Sequence, residues 1–252
     1  MGETSAISWT DATFTPWIGC TKVSQGCKLC YAETQNNRYQ WNPAGWGPGA
    51  TRKRTSAANW KKPNEWAKKA RAEGVTRRVF CASLADVFDA EVDQSWRADL
   101  FGMIDDINAR HGGLEWLILT KRPENIDLML PERWKRDRPD YVRIGVTVEH
   151  QETMMRMAYL LAAWKGKNFV SYEPALGPLF LGAFRNSVDW LICGGESGAG
   201  CRSFDIEWAR SIRDECKQSN IPFFMKQLGG HPDKRHDPAE WPEDLRVQEF
   251  PV

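Results

Sequence analysis

Short apolar runs that end in polar residues recur along the chain from residue 78, at 79–83, 116–121, 142–147, 168–173, 189–194 and 222–226. Near-continuous hydrophobicity over so few residues suits strands covered on both faces, and the intervening lengths suit helices, so the strands are expected to pair in parallel. The helices are readable where the spacing is long enough. Trp96, Leu100, Met103, Ile104 and Ile107 fall on one face of a helix over 94–110, which Gly112-Gly113 stops. Asp205 caps a helix over 205–218 that turns Ile206, Ala209, Ile212 and Cys216 inward, and Met154, Ala158 and Leu161 mark a third over 151–164. With a first strand near 14–18, the pattern gives an α/β chain of about six to seven parallel strands in a partial (β/α) barrel.

Two stretches depart from that period. Residues 36–62 are rich in Asn, Gly, Pro, Trp, Arg and Lys and read as a loop-rich insertion, and residues 229–252 carry two histidines and several prolines and read as an irregular tail. A length of 252 residues fits a single barrel domain over 1–252.

Parallel β/α barrels gather chemistry where the strands run out into the following loops. Here those ends carry Ser83 and Asp86, then Thr120-Lys121-Arg122, Thr147 and Glu149, Glu173, Gly194-Gly195-Glu196-Ser197-Gly198, and Lys226-Gln227. Singly, each has a duller meaning as a solvated loop residue, a cap or a glycine turn; together they predict a polar mouth.

The first strand end leads into Gly19-Cys20, six residues, then Cys27-Lys28-Leu29-Cys30-Tyr31-Ala32-Glu33. Three thiols from one loop can ligate three corners of an iron-sulfur cube and leave the fourth iron open. A zinc site competes, since Cys27 and Cys30 have knuckle spacing, but it needs a fourth ligand from afar, such as His150, His231 or Cys201. Three buried, unliganded thiols are the third reading.

Composition narrows the class without choosing among these. Lys plus Arg number 34 against 33 for Asp plus Glu, so any basic surface is local. Neither an apolar span of membrane length nor a secretory leader pattern is present, and seven cysteines, an odd number, do not describe a disulfide framework. A cytoplasmic protein that does not engage a membrane is expected.

The run Thr15-Pro16-Trp17-Ile18-Gly19-Cys20 with Gly26-Cys27-Lys28-Leu29-Cys30-Tyr31-Ala32 resembles the cluster loop of radical S-adenosylmethionine (SAM) enzymes, especially the spore photoproduct lyase and photolyase-like branch. The likeness continues through Ala85-Asp86-Val87-Phe88-Asp89-Ala90-Glu91, Leu119-Thr120-Lys121 and Val146-Thr147, covering 14–150. The whole chain is also similar to a phage- and mobile-element-associated family of unknown function with a three-cysteine motif. Two features depart from the superfamily pattern: Cys20 and Cys27 enclose six residues where three are usual, and Gly194-Gly195-Glu196 follows the sixth strand rather than the second.

The resemblance implies a [4Fe-4S] cluster on Cys20, Cys27 and Cys30, SAM contacts from Tyr31, Ser83, Asp86, Lys121 and Thr147, and an external one-electron donor. Cys201, Glu173 and Glu196 are the candidates for hydrogen return, substrate binding or proton handling at the reacting end. Thr51 to Lys62 interleaves cations with Trp60, and Arg77-Arg78 follow, which gives DNA, RNA or a nucleotide as the expected substrate class, for repair or modification. The alternative of another class is a non-enzymatic, zinc-stabilised module that binds nucleic acid or protein.

Overall fold

The computed structural model describes residues 2–251. Seven strands form one parallel sheet: β1 (Ala12–Phe14), β4 (Arg77–Cys81), β5 (Leu114–Thr120), β6 (Val142–Thr147), β7 (Asn168–Tyr172), β8 (Leu191–Gly194) and β9 (Phe223–Gln227), adjacent in that order. The sheet curls into a half-barrel. Crossovers run through α2 (Ala57–Glu73), α3 (Gln94–Arg110), the short α4 (Ile126–Met129) and α5 (Glu132–Asp137), α6 (Arg156–Ala163) and α7 (Ile206–Gln218). Before α2 come β2 (Trp17–Ile18), α1 (Tyr31–Tyr39) and β3 (Lys53–Arg54).

Strand periodicity divides the core in two. Val79, Cys81, Trp116, Ile118, Val146, Val170, Leu191, Cys193 and Met225 pack with the helices. The alternating residues Phe80, Leu117, Phe169, Ile192 and Phe224 form a separate interior cluster with Trp9 and Trp190. Gly145 pairs in register with Phe169, and a Cβ there would run into that ring, so the glycine makes room for the aromatic filling.

Several local readings hold. Asp205 caps α7 by accepting from the Glu207 backbone N–H, and Ala209, Ile212 and Cys216 are buried as the spacing requires; α3 ends just before Gly112-Gly113, and the structure adds a cap at its start, where Asp93 accepts from the Ser95 N–H. Others shift. The expected first strand splits: residues 12–14 join the sheet, whereas Trp17 and Ile18 leave it and pair antiparallel with Arg54 and Lys53. Over 151–164 a 3₁₀ turn precedes α6, and the inward stripe is Met154, Met157, Leu160 and Trp164 rather than Ala158 and Leu161.

The 36–62 stretch also holds more order than its composition implies. Ser56 accepts from the Asn59 N–H and starts α2 inside it. That helix hides from a periodicity reading because Pro63 interrupts its propensity and its buried face rests largely on Ala67 and Ala70 beside Trp66.

The C-terminal stretch ends along the outer edge of β9. Gln248 bridges Phe224 antiparallel, the Met225 N–H donates to Val247 O at 2.8 Å, and the Glu249 N–H donates to Phe223 O at 2.9 Å. Among the described residues no helix is long and apolar enough to cross a membrane.

Candidate functional site: a cysteine loop across the barrel mouth

The loop from Gly19 to Tyr31 lies over the C-terminal ends of the strands and is fastened at several points. Gly19 bridges Ala85 just past β4, and the Tyr31 hydroxyl donates to Ser83 O at 2.5 Å. Ser24 Oγ donates to Glu149 Oε1 at 2.5 Å, beyond β6. Arg202, in the segment after β8, donates from Nη2 to Gln25 O at 3.0 Å. Glu149 is fully buried, and its other oxygen accepts from Arg156 Nη1 at 3.0 Å, so the anchor is itself held. Gly26 fits against it so closely that a Cβ would stand 2.5 Å from Oε1 and 2.7 Å from Cγ of Glu149.

Cys20 sits at the far end of the loop beside a buried ion pair. Arg122 Nη1 lies 3.5 Å from Cys20 Sγ and 3.1 Å from Asp86 Oδ2, while Arg122 Nη2 donates to Thr21 O. Burial, aided by the Asp86 charge and opposed by Arg122, pushes the Cys20 thiol up to about 12. Asp86 also accepts from Thr120 Oγ1 at 2.8 Å, from the Lys121 N–H at 3.1 Å and from the Phe88 N–H at 3.0 Å. Its carboxylate is therefore engaged on all sides by the protein and acts as the support of Arg122, rather than as a free contact for a ligand.

Cys27 Sγ is 3.8 Å from Ser24 Oγ, and Cys30 precedes α1 and lines the central pocket. All seven cysteines are free. Among the described residues no three or more His, Cys, Asp or Glu side chains are grouped to hold a metal ion.

The pocket beneath the loop has a volume of about 130 Å³. Its roof is Gly26, Leu29, Cys30 and Tyr31; its rim carries Lys121, Glu173, Glu196, Ser197, Lys226 and Gln227; its floor is Ile7, Trp9, Phe80, Leu119 and Ser171. Lys226 pairs with Glu173 across the mouth. Arg202 Nε donates to Glu196 Oε2 at 2.8 Å; burial would raise this carboxyl, but the hydrogen bonds and charge of Arg202 outweigh it and hold the group below the ordinary carboxylate range. Lys121 Nζ donates to Thr147 Oγ1 at 3.2 Å.

Of the residues singled out by sequence, Cys30, Tyr31, Lys121, Glu173 and Glu196 share this pocket. Thr147 stands just behind Lys121, and Ser83 Oγ lies 2.8 Å from Thr15 Oγ1. Cys201 follows the Gly198–Gly200 turn and does not line the pocket. Cys81 and Cys193 pack toward the helices, with burial pushing both thiols well above their usual range.

The basic stretch is largely spoken for. Arg52 is 4% exposed and donates to Asp89 at 2.8 Å, Glu91 at 2.6 Å and Thr21 Oγ1 at 2.7 Å; Arg54 pairs with Asp99 at 2.7 Å and lies over the Trp60 ring; Lys53 donates to Trp41 O at 2.7 Å. Nothing local in the sequence marks the roles of Arg122 and Arg202, whose partners Asp86 and Cys20, and Gln25, come from distant parts of the chain.

Fold and site together define a parallel β/α half-barrel whose mouth is roofed by a cysteine-bearing loop. The chain belongs to the family described as "Protein of unknown function (DUF5131)", whose model matches residues 4–247. No curated protein matches it. Among solved structures it is similar to a crystal structure assigned as an L-alanine-DL-glutamate epimerase from Burkholderia xenovorans strain LB400, at 13% identity and a TM-score of 0.43, over 95% of this chain and 59% of that one. The chain thus spans about 59% of the length of the structure it matches.

Proposed function

We propose that this chain is a radical SAM enzyme that acts on a nucleotide or nucleic acid. Cys20, Cys27 and Cys30 hold a [4Fe-4S] cluster, and Tyr31, Ser83, Lys121 and Thr147 border the place for SAM. The observation that carries the reading is the position of the three-cysteine loop: all three free thiols belong to a segment tied across the strand ends of a parallel half-barrel.

The donor set suits such a centre chemically. A cube carries its thiolates on separate irons and spreads them more widely than a tetrahedral zinc does, so it does not require three sulfurs gathered around one ion. Arg122 offers a hydrogen bond to Cys20, the kind of outer contact that tunes a metal centre. Such a cluster, if bound and given an electron by an external donor, would supply the reductive cleavage of SAM.

The protein's own part is placement and exclusion of water. Lys121 carries the positive charge suited to the carboxylate of SAM, with Thr147 fixing its ammonium. Glu173 and Lys226 form a neutral pair at the rim that can hold or pass a proton beside the substrate.

Anaerobic purification is the test. About four irons per chain, lost when Cys20, Cys27 or Cys30 is changed to Ala, together with SAM cleavage on reduction, is the expected result. A colourless protein with one zinc and no SAM cleavage overturns the proposal in favour of a zinc-stabilised binding module.

A further inference from the structure

The face of α6 that points away from the sheet carries no charge. Met155, Ala158, Tyr159 and Ala162 recur at the spacing of one helical stripe, opposite the buried Met157, Leu160 and Trp164. Met155 is 60% exposed and Tyr159 53%. Arg156, the only charged residue of the helix, folds back to donate to Glu149 Oε2 at 3.0 Å and to Thr147 O at 2.7 Å. A helix that is apolar all round is ordinarily covered on every side, so this outer face calls for a cover. Two further apolar side chains stand exposed beside it. Leu128 lies on α4, which packs against α6, and Phe180 follows on a segment whose Phe180 N–H donates to Gln151 Oε1 at 2.9 Å.

We infer that this face docks on its own counterpart in a second copy of the chain, α6 antiparallel to α6, about a two-fold axis passing between Ala158 and Tyr159. The inference goes beyond the proposed chemistry and does not depend on it. A two-fold interface must be complementary to itself, and this stripe is. With the axis at that point, Met155 faces Ala162 of the second copy and Tyr159 faces Ala158, so each large side chain meets a small one and the helices can approach closely. Glu152 then stands opposite Lys165 at both ends of the contact. Glu152 is exposed, with His150 Nδ1 at 3.9 Å as its neighbouring base; Lys165 is exposed, donates to Leu161 O and has no carboxylate partner among the described residues. A parallel pairing would instead set each of these charges against its own kind. A lasting dimer takes roughly 800 Å² from each partner, more than one short helix supplies, and Leu128 and Phe180 widen the apolar ground.

The test uses the full chain and sedimentation velocity, with fluorescence detection for dilute samples. At micromolar concentration the wild type is expected to run as a dimer, at twice the mass of one chain. Tyr159→Glu sets a carboxylate against apolar surface beside the axis and should run as a monomer; its far-UV circular dichroism should be unchanged, because Tyr159 is exposed in the single chain. Glu152→Lys and Lys165→Glu should each weaken association about tenfold, since both ends of the contact turn from attractive to repulsive. The double variant Glu152→Lys/Lys165→Glu restores opposite charges and should return to within about threefold of the wild-type affinity. Within one chain the two positions lie roughly 20 Å apart along the helix, so such a rescue arises only between chains.

A wild type that stays monomeric at high micromolar concentration overturns the inference, as does a dimer that Tyr159→Glu leaves intact. A double variant that associates no more tightly than the single ones rules out the antiparallel pairing, and the inference with it. None of these readouts depends on iron loading or SAM cleavage, so a failed pairing and a failed cluster are told apart.

Discussion

Cys20, Arg122 and Asp86 illustrate how much a single side chain depends on its neighbours. Asp86 and Arg122 are each 7% exposed at the side chain, and removing one member of a buried pair leaves the other charged and unpaired. Asp86→Ala is therefore expected to cost about 3–5 kcal/mol in urea unfolding. A loss under about 1 kcal/mol would mean the pair is no better than a surface one. Gly26→Ala drives a methyl group into the Glu149 carboxylate, and such overpacking costs about 1–3 kcal/mol. Faster amide exchange should then be confined to the cysteine loop and the Glu149 segment. The cysteines and Lys121 were legible in the sequence because their residue types carry chemistry. The duty of Asp86 was not, since it looks like any carboxylate after a strand until Thr120, Lys121 and Arg122 are seen to enclose it.

At the scale of elements, strands were the clearest signal and their partners the faintest. Uninterrupted apolar runs marked β4 to β9, because strands covered on both faces leave few polar positions to confuse the pattern. β2 is only two residues long and continues an apolar stretch, so nothing local announced that Trp17 and Ile18 leave the sheet for β3. The segment after β8 likewise showed its glycines but not its reach to the cysteine loop through Arg202 and Gln25.

That reach has a pH consequence. The folded Glu196 carboxyl titrates below its ordinary value of 4.5, so the stability it contributes is complete above that value and lost as pH falls through the folded one. Wild type should melt above Glu196→Gln at pH 7, and the gap should narrow as pH falls below 4.5. A gap that persists unchanged at pH 3 would show that Arg202 does not depend on the Glu196 charge.

The whole molecule is an open half-barrel, so its sheet has two edge strands, β1 and β9, where a closed barrel has none. The alternation of strands and helices made the architecture readable, and the C-terminal residues gave no sign of their role, since prolines and charges describe a loop whether or not it docks. Edges of this kind invite pairing with another chain. Residues 247–249 occupy the β9 edge through Val247 O, Gln248 and the Glu249 N–H. A chain cut after Arg246 would present a bare rung to its neighbours, and size-exclusion chromatography should find it self-associating with concentration while the intact chain elutes unchanged. Those few residues serve as a built-in decoy partner, satisfying from within the appetite of an unfinished sheet for one more strand.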